Sequence, residues 1–520
     1  MAQVARTSLV AAAVAAALAA QDISGDRMRA HVRFLASDLL EGRGPGTRGG
    51  ELAVEYLASQ LAVAGARPAS NGGYFQPAPL VNVRTEASST LSAARDGKTV
   101  SFEWFTGFVG QSETQKPRRD FDAEAVFVGH GIHAPEFGWD DYAGIDVKGK
   151  VVVLFTNEPP SQDPGFFDGR ALTYYGRWSY KYEQALRKGA AAALILHTTA
   201  TAGYGWDVVR NSWGREESHV KAEGDALDFA GWLSGDAAGK LLALAGLDLD
   251  DLLAKADRRG FKALPLGIRV RGSIGSAVRE VAARNVIGAI GGSDPALGRE
   301  PVIYSAHWDH LGKSDAPGDN IFNGAVDNAT GCALLLEIAR AWSALPRKPR
   351  RPAVFLFTAA EESGLLGSEF YVRQPLYPLD RTALVLNFDS FYPFGRTRDA
   401  VLEGAERTTF WPRVQAAAQR FQLTLSPAPR PEQGTFFRSD HFPFAKAKVA
   451  AFSVNAGRSY GANAEAIAAR IAEYGSKHYH QPSDEYREDW DFAGMEQMAR
   501  FGMALGMDAA NLDEPARWIE

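Results

Sequence analysis

Short, unbroken apolar runs punctuate the C-terminal half of the chain: Asn285–Ala289, Val302–Ser305, Ala353–Thr358, Ala383–Phe388 and Val449–Val454. Between most of them lie segments with apolar residues three and four positions apart, such as Cys332–Leu345. Apolar runs that do not alternate predict strands buried on both faces, and helical segments between them predict crossovers. This half therefore reads as a three-layer α/β sandwich around a mainly parallel sheet. Near the N-terminus, Asp26–Leu40 and Glu51–Ala64 read as two helices joined by the glycine-rich turn GRGPGTRGG. The turn formally holds G-x-G-x-x-G at positions 44–49, but it follows a helix instead of a strand, which removes a dinucleotide-binding reading.

The middle of the chain has another texture. Residues Gln76–Phe108 alternate weakly, as short strands do. From about Asp120, the runs Ala123–Val128, Val151–Phe155, Ala190–His197 and Phe261–Val270 surround a helical segment, Tyr180–Lys188, and predict a β-rich α/β insert. The expected plan is a leader over 1–19, the first part of the principal domain over 20–119, the insert over 120–276, and the rest of the principal domain over 277–520.

Composition narrows the class. A chain of 520 residues exceeds one ordinary core, in keeping with two domains. A net charge of -6 gives no reason to expect nucleic acid or an anionic membrane as partner. Arg6, the apolar stretch Leu9–Ala16 and the small-x-small triplet Ala17-Leu-Ala19 form a bacterial-type secretory signal, too short to span a bilayer, so a periplasmic or secreted protein is expected. The only cysteine, Cys332, excludes an intramolecular disulfide framework and a cysteine-rich zinc site. Nothing in the pattern sets an oligomeric state.

In open α/β sheets, ligands bind beyond the carboxyl ends of the strands. His307 and Asp309 follow the run at Val302, Glu361 and Glu362 the run at Ala353, and Asp389 the run at Ala383. A Gly/Asp/Asn-rich loop delivers Asp327 to a helix start, and His480 lies near the chain end. Imidazoles with carboxylates suit zinc, and paired zincs share a bridging carboxylate. The chain offers His307, Asp327, Glu362, Asp389 and His480 as ligands of two zinc ions per subunit. Glu361 is then free to serve as general base, and Asp309 is spaced to accept the His307 ring N–H. Gly457-Arg-Ser-Tyr-Gly461 matches a serine-hydrolase elbow, but too little chain follows it to supply an acid and a histidine on further strands.

The motifs His307-Trp-Asp309, Asn323-Gly-Ala-Val-Asp327-Asn-Ala-Thr-Gly331, Ala360-Glu-Glu-Ser-Gly-Leu-Leu-Gly367, Asn387-Phe-Asp389 and Tyr479-His480 resemble, in order and context, the co-catalytic zinc peptidases. That group includes bacterial double-zinc aminopeptidases and glutamate carboxypeptidases. The resemblance covers roughly Ala283–Met507. It implies one zinc on His307 and Asp389, the other on Glu362 and His480, and Asp327 between them. It also implies a catalytic role for Glu361 and Tyr479, and a place near substrate for Asp440 and His441. Aromatics around Phe391–Phe394 and Phe436–Phe444 could line an apolar specificity pocket. Gly129-His-Gly-Ile132 and Val147-Lys-Gly-Lys150 resemble the protease-associated domain inserted in some of these enzymes. The implied activity is an aminopeptidase acting on peptides through a zinc-bridging hydroxide. Glutaminyl cyclase, a carboxypeptidase, or a metal-free binding protein on the same fold are the alternatives.

Overall fold

The apolar runs become strands in the computed structural model, which describes residues 23–314 and 317–519. The expected leader, 1–19, lies outside the described residues. Among these, no helix is long and apolar enough to cross a membrane. The chain divides into two units: one holds the described residues up to Pro79, Val281–Pro429 and those from Phe436 on, and the other holds Leu80–Glu280 and Arg430–Thr435. Residues 80–119 thus fall in the second unit, where Thr90–Arg95, Lys98–Phe102 and Phe108–Gln111 pair with its other strands.

In the first unit four strands run parallel in the order Ala451–Ser453, Leu384–Asn387, Val302–His307, Ala353–Thr358. The end of Leu264–Ile290 joins the sheet antiparallel, with Val286 opposite Phe357 and Ile290 opposite Ala353, and Arg67–Pro68 pairs on its far side. Alternate residues of these strands face opposite layers. Ile303, Val354, Val385 and Ala451 pack with Tyr371 and Phe444, from the helices Leu366–Arg373 and His441–Lys446. On the opposite face Tyr304 stacks on Phe355 at 5.3 Å and meets Trp342 of the helix Thr330–Ala344 edge-on at 5.8 Å. The helix Ala493–Ala510 approaches this face so closely that a Cβ on Gly506 would lie 1.8 Å from the Tyr304 hydroxyl, so only glycine fits there. Both faces are dry. Burying each Ile, Leu, Val or Phe contributes about 1.5–3 kcal/mol.

The two N-terminal helices are Gly25–Leu35 and Arg48–Val63, capped by the side chains of Ser24 and Thr47. The first ends earlier than its apolar spacing predicts. Ser37 Oγ donates to Phe34 O, a local bond that competes with further helix, and a 3₁₀ stretch, Asp38–Arg43, follows.

The second unit is also α/β. Its strands Arg118–Phe127, Val151–Phe155, Ala192–Leu196 and Phe229–Leu233 pair in parallel in that order, with antiparallel strands at both edges. Two apolar cores cover its faces, one under the helices Gly235–Leu244 and Leu249–Ala256, the other under Trp178–Arg187.

Candidate metal centre

Three neighbouring parallel strands of the first unit end level, Ser305 standing opposite both Leu356 and Asn387. His307 is the last residue of its strand, Glu361 and Glu362 follow Ala353–Thr358, and Asp389 follows Leu384–Asn387. That is the ligand-binding rim of an open α/β sheet. The loop beyond His307 brings Asp327 to the start of Thr330–Ala344, after which the Asp327–Asn328 peptide is cis. His480 arrives from the turn after Tyr474–His478.

The six side chains meet at one place. His307 Nε2 lies 3.1 Å from Asp327 Oδ1 and 3.3 Å from Asp389 Oδ1. His480 Nε2 lies 3.3 Å from Asp327 Oδ2 and 3.0 Å from Glu362 Oε2. The two oxygens of Asp327 therefore address two different histidines, each with its own further carboxylate. Glu361 stands further back, its Oε2 4.0 Å from His307 Nε2. Ala360 (φ 54°), Ser390 (φ 57°) and His480 itself (φ 57°) hold left-handed backbone beside these groups. Such conformations cost on the order of 1 kcal/mol or more without glycine and concentrate at functional sites.

Charge is concentrated here. Burial works against ionising His307, but Glu361 and Asp389 outweigh it and push the imidazole well up. For His480, likewise, burial is outweighed by Glu362 and Asp327, and its pKa rises to about 10. Against burial, the adjacent imidazoles of His307 and His480 hold Asp327 well below the usual carboxylate range. Glu362, despite burial and Asp327, is lowered to about 2 by His310 and His480. Burial drives Glu361 the other way, well up, with Asp389 and Glu362 adding to the shift.

Neighbouring groups fix the ligating side chains. The Asp309 carboxylate, fully buried, accepts the N–H of Glu361 at 3.1 Å and of Glu362 at 3.4 Å. It does not take the His307 ring N–H as its spacing predicts: His307 Nδ1 is 3.2 Å from the Asp309 main-chain oxygen and 3.8 Å from the carboxylate. The carboxylate is drawn instead to two main-chain donors of the neighbouring strand end. Three contributors escape the sequence reading. His310 Nδ1 is 2.5 Å from Glu362 Oε1, leaving Oε2 for the His480 side. Asp484 accepts the N–H of Val326 and of Asp327 at 3.0 and 3.2 Å. Ser439 Oγ donates to Asp389 Oδ2 at 2.6 Å and receives Asn387 Nδ2. Only His310, three residues beyond His307 in His-Trp-Asp-His, carried a signal that could have found it.

Tyr479 is 48% exposed and stacks on the His480 ring at 3.8 Å. Desolvation of its hydroxyl and the carboxylates of Asp327 and Glu362 push its phenol well up. Asp440 and His441 are buried and present no surface to a substrate. Asp440 accepts from Ser368 Oγ at 2.5 Å and from Thr358 Oγ1, bracing the strand end behind Glu361, and His441 packs edge-on against Phe436. Phe391, Phe442 and Phe444 are likewise buried, whereas Tyr392, Phe394, Phe436 and Phe437 are half-buried.

The donor set fits divalent metal. Four carboxylates (Asp327, Glu361, Glu362, Asp389) surround two imidazoles, and two groups, His307–Asp327–Glu362 and His307–Glu361–Asp389, have donor atoms within 4.8 Å of one another. His480 Nε2, for all its proximity to two carboxylates, makes no hydrogen bond of acceptable direction with either. Donors that approach without pointing at one another are arranged as ligands around a cation are.

Part of the chain is similar to known proteins. Residues 285–503 match the model of Peptidase family M28. A stretch of 130 residues is 34% identical to the aminopeptidase NAALADL1 of Mus musculus, covering 24% of this chain and 16% of that protein. Another of 122 residues is 34% identical to the glutamate carboxypeptidase 2 homolog of Caenorhabditis elegans, covering 22% of this chain and 14% of that protein. The match thus spans only about a sixth of these curated relatives. Among solved structures, an aminopeptidase from Aneurinibacillus sp. strain AM-1 is similar over 96% of both chains, with a TM-score of 0.51 and 19% identity, a likeness of fold.

Proposed function

Residues 285–503 are a peptidase family M28 domain, and from that premise we propose that the protein is a zinc-dependent aminopeptidase, removing the N-terminal residue of peptides with two ions per subunit. The observation that carries this reading is Asp327, whose two oxygens face His307 and His480, paired with Asp389 and Glu362 respectively. His307 and Asp389 would hold one ion, His480 and Glu362 the other, and Asp327 both. When bound, zinc supplies polarisation of the scissile carbonyl and a lowered pKa for water.

The chain's own residues supply the rest. Glu361 takes the proton of the attacking water and returns it to the leaving amine; burial raises its pKa, the direction that suits a group exchanging protons near neutral pH. Asp309 orients it by holding its main-chain N–H. Tyr479, half exposed beside His480, is the available hydroxyl donor towards the developing oxyanion. The half-buried Tyr392, Phe394, Phe436 and Phe437 favour an apolar side chain at the cleaved end. The mouse relative named an aminopeptidase supports the same activity. Gly129–Ile132 and Val147–Lys150 support reading the unit at Leu80–Glu280 as a protease-associated insert, and residues 1–19 support export through a signal peptide.

A panel of aminoacyl and N-blocked peptides, with and without chelator, tests the proposal. Cleavage of free but not blocked N-termini, abolished by chelator and restored by zinc, is expected. Cleavage of blocked peptides from the C-terminal end, or cyclisation of N-terminal glutamine with one zinc per chain, would replace it.

A further inference from the structure

The glycine-rich stretch Gly42–Gly50 plays no part in the chemistry above, yet Arg43 within it is among the largest fully buried side chains described. Its Nε donates to Trp308 O at 2.8 Å. Nη1 donates to Leu35 O at 2.6 Å and Asn323 O at 2.5 Å, and Nη2 to Gly324 O at 2.9 Å. Trp308 is the residue after His307, and Asn323 and Gly324 lead into Asp327. A single planar guanidinium thus grips both ends of the loop whose ends carry two of the metal-type ligands.

The glycines complete the grip. Gly42 has φ +71°, and a Cβ there would lie 2.2 Å from Gly312 O and 2.7 Å from Phe322 O, inside the same loop. Asn323 Nδ2 in turn donates to Ala36 O at 2.9 Å and Asp38 Oδ1 at 2.8 Å.

Stability alone does not account for this arrangement. Four of the five N–H donors of Arg43 are spent on main-chain carbonyls, and its charge is met through space, by Cys332 and by the carboxylates of Asp309, Asp484 and Asp327. A buried cation held this way is costly, and an apolar side chain of similar volume would serve packing as well. What the guanidinium uniquely provides is a fixed geometry between Trp308 and Gly324.

We propose that the segment Ala36–Gly44 is a clamp that sets the spacing of His307 and Asp327, with Arg43 as the positioning residue of the metal centre. The inference rests on the metallopeptidase reading above. Lysine at position 43 keeps the charge but replaces the fork with one compact donor, which cannot hold both loop ends. Alanine at position 42 displaces Gly312 while leaving Arg43 in place.

The test uses the full chain, stripped with chelator and titrated with cobalt(II), for the parent, Arg43→Lys and Gly42→Ala. With the parent's circular dichroism retained, both variants are expected to bind cobalt about 10- to 100-fold more weakly and to show altered visible d–d bands. A folded Arg43→Lys whose cobalt affinity and spectrum match the parent's overturns the clamp. So does a pair of variants that fold neither with nor without metal, since Arg43 is then a folding residue. A parent that takes up no cobalt fails the metal reading itself in the control arm, before any variant is compared.

Discussion

Replacing Asp484 with asparagine perturbs the metal centre through a side chain that is not among its ligands. The carboxylate is 2% exposed and receives three donors: Val326 N–H on Oδ1, and Asp327 N–H with the Tyr474 hydroxyl on Oδ2. The amide can place its oxygen at the Oδ2 position and keep two of them, but its NH₂ then faces Val326 N–H, donor against donor. One charge-assisted hydrogen bond is lost, worth about 1.5–3 kcal/mol, and the other two weaken with the loss of charge. Asp484 lies in the turn that carries His480 and grips the peptide that carries Asp327, so this energy holds two ligands in register. At about 1.4 kcal/mol per tenfold, zinc affinity is expected to fall about 10- to 100-fold. Competition against a chromophoric chelator measures it, with thermal melting of the metal-free protein run in parallel. A folded Asp484→Asn whose zinc affinity stays within about twofold of the parent's would refute the reasoning.

Two further outcomes are expected. Asp327→Ala removes the one carboxylate shared by His307 and His480, so elemental analysis after dialysis is expected to find both zincs lost together; retention of one full equivalent contradicts the shared role. In the second unit, burial raises the Glu217 carboxyl from 4.5 to about 7, with Gln111 Nε2 donating to it at 2.9 Å. Because the folded state keeps this proton where the unfolded state has released it, the stability from Glu217 is present below the unfolded pKa and is lost as pH rises through the folded one. Urea midpoints are expected to fall between about pH 5 and about pH 7.5 more steeply for the parent than for Glu217→Gln, and equal slopes would sink the assignment.

The sheet and its chemistry were legible for one physical reason. Strands buried on both faces leave unbroken apolar runs, and Ala353–Thr358 and Val302–His307 lie within a residue or two of where those runs place them. Parallel strands also deliver whatever follows them to one rim, which is why His307, Glu361, Glu362 and Asp389 could be gathered from the sequence. Hidden from the sequence were contacts made through main-chain groups across long separations. Asp484 reaches Val326 and Asp327, Arg43 reaches Trp308 and Gly324, and the carboxylate of Asp309 chose the N–H groups of Glu361 and Glu362 over a nearby ring. Spacing cannot reveal a partner that has no side-chain chemistry. Burial was equally illegible at Asp440 and His441, which the family resemblance placed near substrate but which brace and pack beneath the strand ends.

The central claim is that Glu361 moves the proton for a hydrolysis carried out at the Asp327-centred site. The most direct measurement is turnover of an aminoacyl-p-nitroanilide by Glu361→Gln, at zinc content matched to the parent by elemental analysis. The account predicts unchanged zinc and a fall in kcat of about 10²- to 10⁴-fold, the usual contribution of a positioned general base. Undiminished turnover with both zincs in place would contradict it.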